Sequence, residues 1–88
     1  MIFTIQNETI DYSNINQLYP AGIIKTGYED ETTQMSLKWL ETEGLGKVEI
    51  VNYTIFINLK NGEKKAFYYS SREELDDELS SIALQLNN

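Results

Sequence analysis

Eighty-eight residues leave room for one domain, and a composition that is 41% hydrophobic and 11% aromatic belongs to a folding chain. The chain has no histidine and no cysteine, which excludes disulfide frameworks, thiol nucleophiles, the usual transition-metal sites and most acid–base triads. Fourteen acidic against seven basic residues give a formal charge of −7, which disfavours nucleic acid and anionic membranes as partners.

The first residues, Met1-Ile2-Phe3-Thr4-Ile5-Gln6, lack the basic flank and long apolar run of a secretion signal. Together with the missing cysteine, this gives the expectation of a cytoplasmic protein. No stretch approaches the roughly 18 apolar residues of a membrane span, so no membrane partner is expected. Phe3–Gln6 and Thr9–Tyr12 read as a hairpin about Asn7-Glu8, pairing Ile5 with Ile10 and Phe3 with Tyr12. Residues 13–19 predict one helical turn carrying Ile15, Leu18 and Tyr19 and stopped by Pro20. Ala21–Thr26 reads as a strand and Gly27–Thr32 as an exposed loop.

That loop holds Glu29-Asp30-Glu31, the densest acidic run outside the C-terminal helix. It lacks the alternating oxygen ligands, the glycine and the distal glutamate of a calcium loop, and reads as solvated; neither metal nor cofactor is expected. Over residues 33–41, Met35, Leu37 and Trp39 alternate with polar residues at strand period. A helix closed by Gly44 is the competing reading. It scatters the apolar residues around the axis and sets Glu41 and Glu43 at the unfavourable end of the dipole, so a strand is expected. Trp39 belongs either to the core or to an interface. Gly44-Leu45-Gly46 reads as a turn. Gly46-Lys47 does not complete a P-loop, because Glu41 and Val48 stand where glycine and Ser/Thr are required.

Val48-Glu49-Ile50 leads into a strand, Tyr53–Lys60. The apolar parity changes from even to odd between them, which calls for a bulge near Val51-Asn52. Asn61-Gly62 is the preferred pair for a two-residue turn. The expected hairpin then returns from Glu63 to Ser70 and sets Ile57 opposite Ala66, Phe56 opposite Phe67 and Ile55 opposite Tyr68. In this register Tyr53, Ile55, Ile57, Leu59, Ala66 and Tyr68 face the core. Phe56, Phe67 and Tyr69 make an aromatic patch on the other face.

Ser71 with Glu74 three residues later fits a capping box. Glu73, Glu74, Asp76 and Asp77 suit the positive end of the helix dipole. Leu75, Leu79, Ile82, Ala83 and Leu86 form one apolar stripe that suits the inner hairpin face, while Leu84 points away. The run Tyr53–Leu86, with its strand, Asn61-Gly62 turn, strand ending Phe67-Tyr68-Tyr69 and Ser71-capped helix, resembles the end of small bacterial PH-like domains. Thr9-Ile10-Asp11-Tyr12-Ser13-Asn14-Ile15 is similar to an earlier strand-and-turn segment of such domains. The resemblance implies a strongly curved half-barrel and carries over no binding residues.

The expected fold is therefore α+β: an antiparallel sheet of five or six strands, mostly in meander order, with the C-terminal helix packed on one face. The first functional expectation is a non-catalytic protein-interaction module, self-associating or binding another protein through Phe56, Phe67, Tyr69 and Leu84. The second is an acidic inhibitor of a basic protein such as a nuclease, presenting Glu29–Glu31 with Glu73, Asp76 and Asp77. The third is an enzyme or ligand-binding domain that uses carboxylates and tyrosines only. Lys60, Lys64 and Lys65 near the hairpin tip are a faint nucleic-acid signal, weaker than their reading as protection against edge aggregation.

Overall fold

The computed structural model describes residues 1–44 and 46–87. Among them are six antiparallel strands in two sheets and a C-terminal helix. The first sheet is the hairpin of β1 (Ile2–Ile5) and β2 (Glu8–Asp11). Its bend is Gln6-Asn7, with φ of +47° and +68°, the two positive values of a mirror-image two-residue turn. Phe3 therefore pairs with Ile10 and Ile5 with Glu8, two residues away from the expected register. A shift of two preserves the faces, and Phe3, Ile5 and Ile10 are all buried.

Asp11 then caps a single 3-10 turn, Tyr12–Asn14, accepting hydrogen bonds from the Ser13 amide and hydroxyl at 3.0 and 2.8 Å. Those bonds, with the nearby N-terminal ammonium, hold the Asp11 carboxyl below the usual carboxylate range. The expected helical turn stops there. Ile15, Leu18 and Tyr19 instead lie in β3 (Ile15–Lys25), which pairs along most of its length with β5 (Ile50–Leu59). Long-range pairing overrides the local signal. Pro20 is tolerated inside β3 because β4 (Thr32–Met35) reaches only Gly22–Lys25 and leaves one side of β3 open at the proline.

The expected strand over 33–41 holds only as far as Met35. The chain then turns through a short helical segment, α1 (Leu37–Trp39) widening into a π-type turn (Leu40–Gly44). The Ser36 hydroxyl caps it, accepting from the Trp39 amide at 3.1 Å. Leu40 is buried over Gly22, where a Cβ would lie 2.2 Å from Leu40 Cδ1; only glycine leaves that space. The acidic charge at its unfavourable end is answered from outside, by Arg72 at 2.6 Å from Glu41. The segment carries the chain across β3, so the four-stranded sheet runs β4-β3-β5-β6 and not as a meander. The sheet is open, as in a half-barrel. The middle residue of the expected Gly44–Gly46 turn lies outside the described residues.

The bulge expected near Val51-Asn52 is present: Ile23 pairs with Asn52 but Ile24 with Ile50. The turn into β6 (Lys64–Tyr69) differs from expectation. The Gly62 amide bonds to the Leu59 carbonyl at 3.0 Å, and the Leu59 amide to the Glu63 carbonyl at 2.8 Å. Three residues, Lys60-Asn61-Gly62, make the loop, and only Gly62 has positive φ (+91°). This is a type I turn followed by a glycine bulge. The register moves by one: Ile55 pairs with Phe67, Phe56 with Ala66 and Ile57 with Lys65.

Helix α2 (Arg72–Leu86) starts as expected, with the Ser71 hydroxyl accepting from the Glu74 amide at 3.1 Å. The Glu74 carboxylate reaches back to the Ser70 hydroxyl and amide, bonds that hold its pKa down. Leu75 and Ile82 are buried, while Leu79 and Leu86 are half-buried at the margin. The core joins Phe3, Ile5 and Ile10 of the first hairpin to Ile55, Ile57, Phe67, Tyr69, Leu75 and Ile82. Each such burial is worth about 1.5–3 kcal/mol. The Gln85 side chain completes the seam: it accepts from the Thr4 amide at 2.8 Å and donates to the Thr4 carbonyl at 3.1 Å.

Candidate interaction surface

Cross-strand partners share a face, so the register sorts the four-stranded sheet into two sides. One side carries Leu18, Ile55, Ile57, Leu59, Phe67 and Tyr69. It is the side covered by α2 and the β1–β2 hairpin. The other side carries Tyr19, Ala21 and Ile23 of β3, Thr54, Phe56 and Asn58 of β5, and Ala66 and Tyr68 of β6. None of these residues belongs to the core cluster or packs against it.

The one-residue shift corrects the predicted patch. Phe67 (5% exposed) and Tyr69 (9%) are core residues, and Tyr68, expected inside, is 61% exposed. Phe56 stays on the outer face, where its ring stacks on Tyr19 with centroids 5.3 Å apart and planes at 27°. Leu84 is 68% exposed but sits on α2, which lies across the opposite face of the sheet, so it does not join this surface. Of the four predicted contact residues, only Phe56 belongs to the outer sheet face.

Tyr19 and Tyr68 are the members that sequence reasoning missed. The local signal at Tyr19 is that of a helical turn, and a two-residue loop would turn Tyr68 inward. A signal for the longer loop was present in the apolar pattern. The odd-numbered set Ile55, Ile57 and Leu59 gathers two large aromatics, Phe67 and Tyr69, when the loop has three residues. It gathers only Ala66 and Tyr68 when the loop has two.

The outer face mixes aromatic, small and amide side chains. Ala21 and Thr54, cross-strand partners at its centre, are 3% and 0% exposed. The Thr54 hydroxyl donates to Asn52 Oδ1 at 2.9 Å, and Asn58 donates to Gln17 Oε1 at 3.3 Å. No strand residue on this face is acidic, although the chain has 14 acids. Its charges are Lys25, bridged to Glu49 at 3.2 Å, and Lys64 at the hairpin end. Lys65 points to the covered side and is bound to Glu8 at 2.5 Å, while Lys60 lies in the turn, beside a groove between β3 and α2. The three lysines do not form one patch.

Titratable groups elsewhere are dispersed. Burial, helped by the Glu78 carboxylate and opposed by the nearby Gln6 side chain, pushes the pKa of the Tyr69 phenol up to about 12; the Gln6 contact falls short of a full hydrogen bond. Burial alone raises Glu78. Glu29, Asp30 and Glu31 are exposed in their loop, as expected, and no cluster of three or more metal-ligating side chains occurs among the described residues. Among these residues no helix is long and apolar enough to cross a membrane. Compared with protein-family models, curated proteins and solved structures, the chain matches none.

Proposed function

We propose that this chain is a non-catalytic protein-interaction module that docks a polypeptide through the outer face of its four-stranded sheet, around Tyr19, Phe56 and Tyr68. The observation that carries the reading is an aromatic sheet face with no acidic strand residue in a chain of charge −7. Aromatic residues, with few carboxylates beside them, are what the centres of protein interfaces favour. With no acidic strand residue, and Glu49 paired to Lys25, the face offers an acidic protein less repulsion than the rest of this surface does. The lack of cysteine fits a partner in a reducing compartment, with the cytoplasm as the reading carried here.

The test is affinity purification with the parent chain and with Phe56→Ala, Tyr68→Ala and Leu84→Ser variants, followed by direct binding of each recovered protein in purified form. A specific protein partner, including a further copy of the chain, should be lost with the first two variants and kept with the third. A partner indifferent to Phe56 and Tyr68 but lost when Glu73 and Asp77 are neutralised would replace this reading with the acidic-inhibitor one. Binding of nucleic acid through the face would overturn it.

A further inference from the structure

We infer that the open edge of β3 is a second docking site, which takes an extended segment of a partner protein, apolar at alternate positions and acidic at its C-terminal end, as an added strand alongside α2. The inference is independent of the outer-face reading, since it stands on the edge of a strand and not on its face.

The backbone requires an extended occupant. β3 has a strand on both sides only at Gly22–Lys25, where β4 pairs with it. From Asn16 to Ala21 its one strand neighbour is β5. In an antiparallel ladder the N–H and C=O groups of alternate residues point to opposite sides, so this stretch leaves backbone groups unused along its free edge. No backbone bond outside the ladder reaches Asn16–Ala21 among the described residues. Pro20 has no N–H to offer, which confines strong pairing to Asn16–Tyr19. β4 stops at Met35, and the chain leaves the edge through Ser36 into α1. A strand antiparallel to β3 would lie in line with β4, in the place that β4 vacates, over about 20 Å.

Side chains select among extended segments. The edge borders a groove of about 540 Å³ between β3 and α2, lined by Ile15, Leu18, Leu79, Ala83 and Leu86. The four larger of these are only half-buried, so α2 leaves part of their apolar surface uncovered. On the other side of the same edge lies a hollow of about 420 Å³ beside Pro20 and Met35. An added strand directs its side chains alternately to the two faces, so every second residue enters the apolar groove. Charge sets the end. Lys60 is the one charged side chain among the described residues lining the groove, in a chain of charge −7, and it has no salt bridge among the described residues. Its amide bonds to the Asn14 carbonyl at 2.8 Å, which sets it at the Ile15 end. A strand antiparallel to β3 finishes at that end, where an acidic side chain meets Lys60. Backbone bonds supply affinity in such an addition, and the alternate pockets supply selectivity.

The experiment selects random peptides displayed on phage against the purified full chain and measures each enriched sequence as a synthetic peptide. Enriched peptides should alternate apolar residues and end in Asp or Glu, and should shift the amide NMR signals of Asn16, Leu18 and Ala83. N-methylation of every second peptide residue should abolish binding in one phase and be tolerated in the other, because only alternate N–H groups face β3. Lys60→Glu should weaken binding about tenfold. Ala83→Phe, a bulky change at an exposed helix position that fills the groove, should remove it, with circular dichroism as the folding control. Phe56→Ala, on the outer face, should leave it intact. No enriched peptide, binding indifferent to both N-methylation phases or to Lys60→Glu, or a dimer through this edge that the peptides displace would overturn the proposal. Peptides that shift Phe56 and Tyr68 and spare Asn16 and Leu18 would also end it, while leaving the outer-face reading in place.

Discussion

On one side of the four-stranded sheet, Ile55, Ile57, Phe67 and Tyr69 lie under the C-terminal helix and the first hairpin. On the other, Phe56 and Tyr68 come from the same two strands and Tyr19 from the neighbouring β3, all outside that core. Composition does not separate the two sides, since both are aromatic. What separates them is a single residue in one turn, which decides whether Phe67 or Tyr68 points inward. In a two-faced sheet the loop length of a hairpin thus decides which side chains hold the fold and which are available for contact.

The comparison can be broken most violently by placing a charge on each side. Leu75→Asp puts a carboxylate at a fully buried position against the covered face and should abolish cooperative folding. Tyr68→Asp on the outer face should leave a folded chain. Thermal melts followed by circular dichroism would separate the two, and a normal melt for Leu75→Asp would break the account of the core.

A finer contrast uses adjacent residues. Phe67→Ala should cost about 3–5 kcal/mol, the range for a buried aromatic. Tyr68→Ala, at 61% exposure, should cost less than about 1 kcal/mol. Urea denaturation measures both, and the opposite order would mean that the two-residue turn is the true one.

Smaller still is an alkaline effect confined to the covered side. The folded chain keeps the Tyr69 proton to about pH 12, against 10.0 for an ordinary tyrosine. The unfolded chain releases it first, so stability falls as pH rises from 10 towards 12. Tyr69→Phe should remove this part of the alkaline loss when stability is followed from pH 8 to 12. It should cost little at neutral pH, because the buried hydroxyl has at most a weak contact with Gln6 to lose. The least of these effects is Ser71→Ala, which removes the helix cap and should cost about 1 kcal/mol in the same denaturation experiment.

Local chemistry made the C-terminal unit legible. Ser71, the acidic first turn and the leucine stripe all agree on one helix, and the parity change at Val51-Asn52 disclosed the bulge because burial forces it. The N-terminal hairpin was legible in its faces but not in its pairing, since Gln6-Asn7 is an uncommon choice for a turn with two positive φ values. Residues 37–41 and 15–19 depart from their local signals because distant partners decide them. Arg72 neutralises Glu41, Gly22 makes room for Leu40, and β5 draws Ile15–Tyr19 into a strand. Asn61-Gly62 gave the right place for a turn and the wrong length, because Asn-Gly also serves when a type I turn ends in a glycine bulge. That error moved two residues of the predicted patch into the core and hid Tyr68.

The register between β5 and β6 is open to direct observation in solution by nuclear Overhauser contacts between backbone protons of the two strands. The account predicts contacts of Phe56 with Ala66 and of Ile55 with Phe67 as the directly opposed pairs. Contacts that instead set Phe56 directly opposite Phe67, and Ile55 opposite Tyr68, would contradict it.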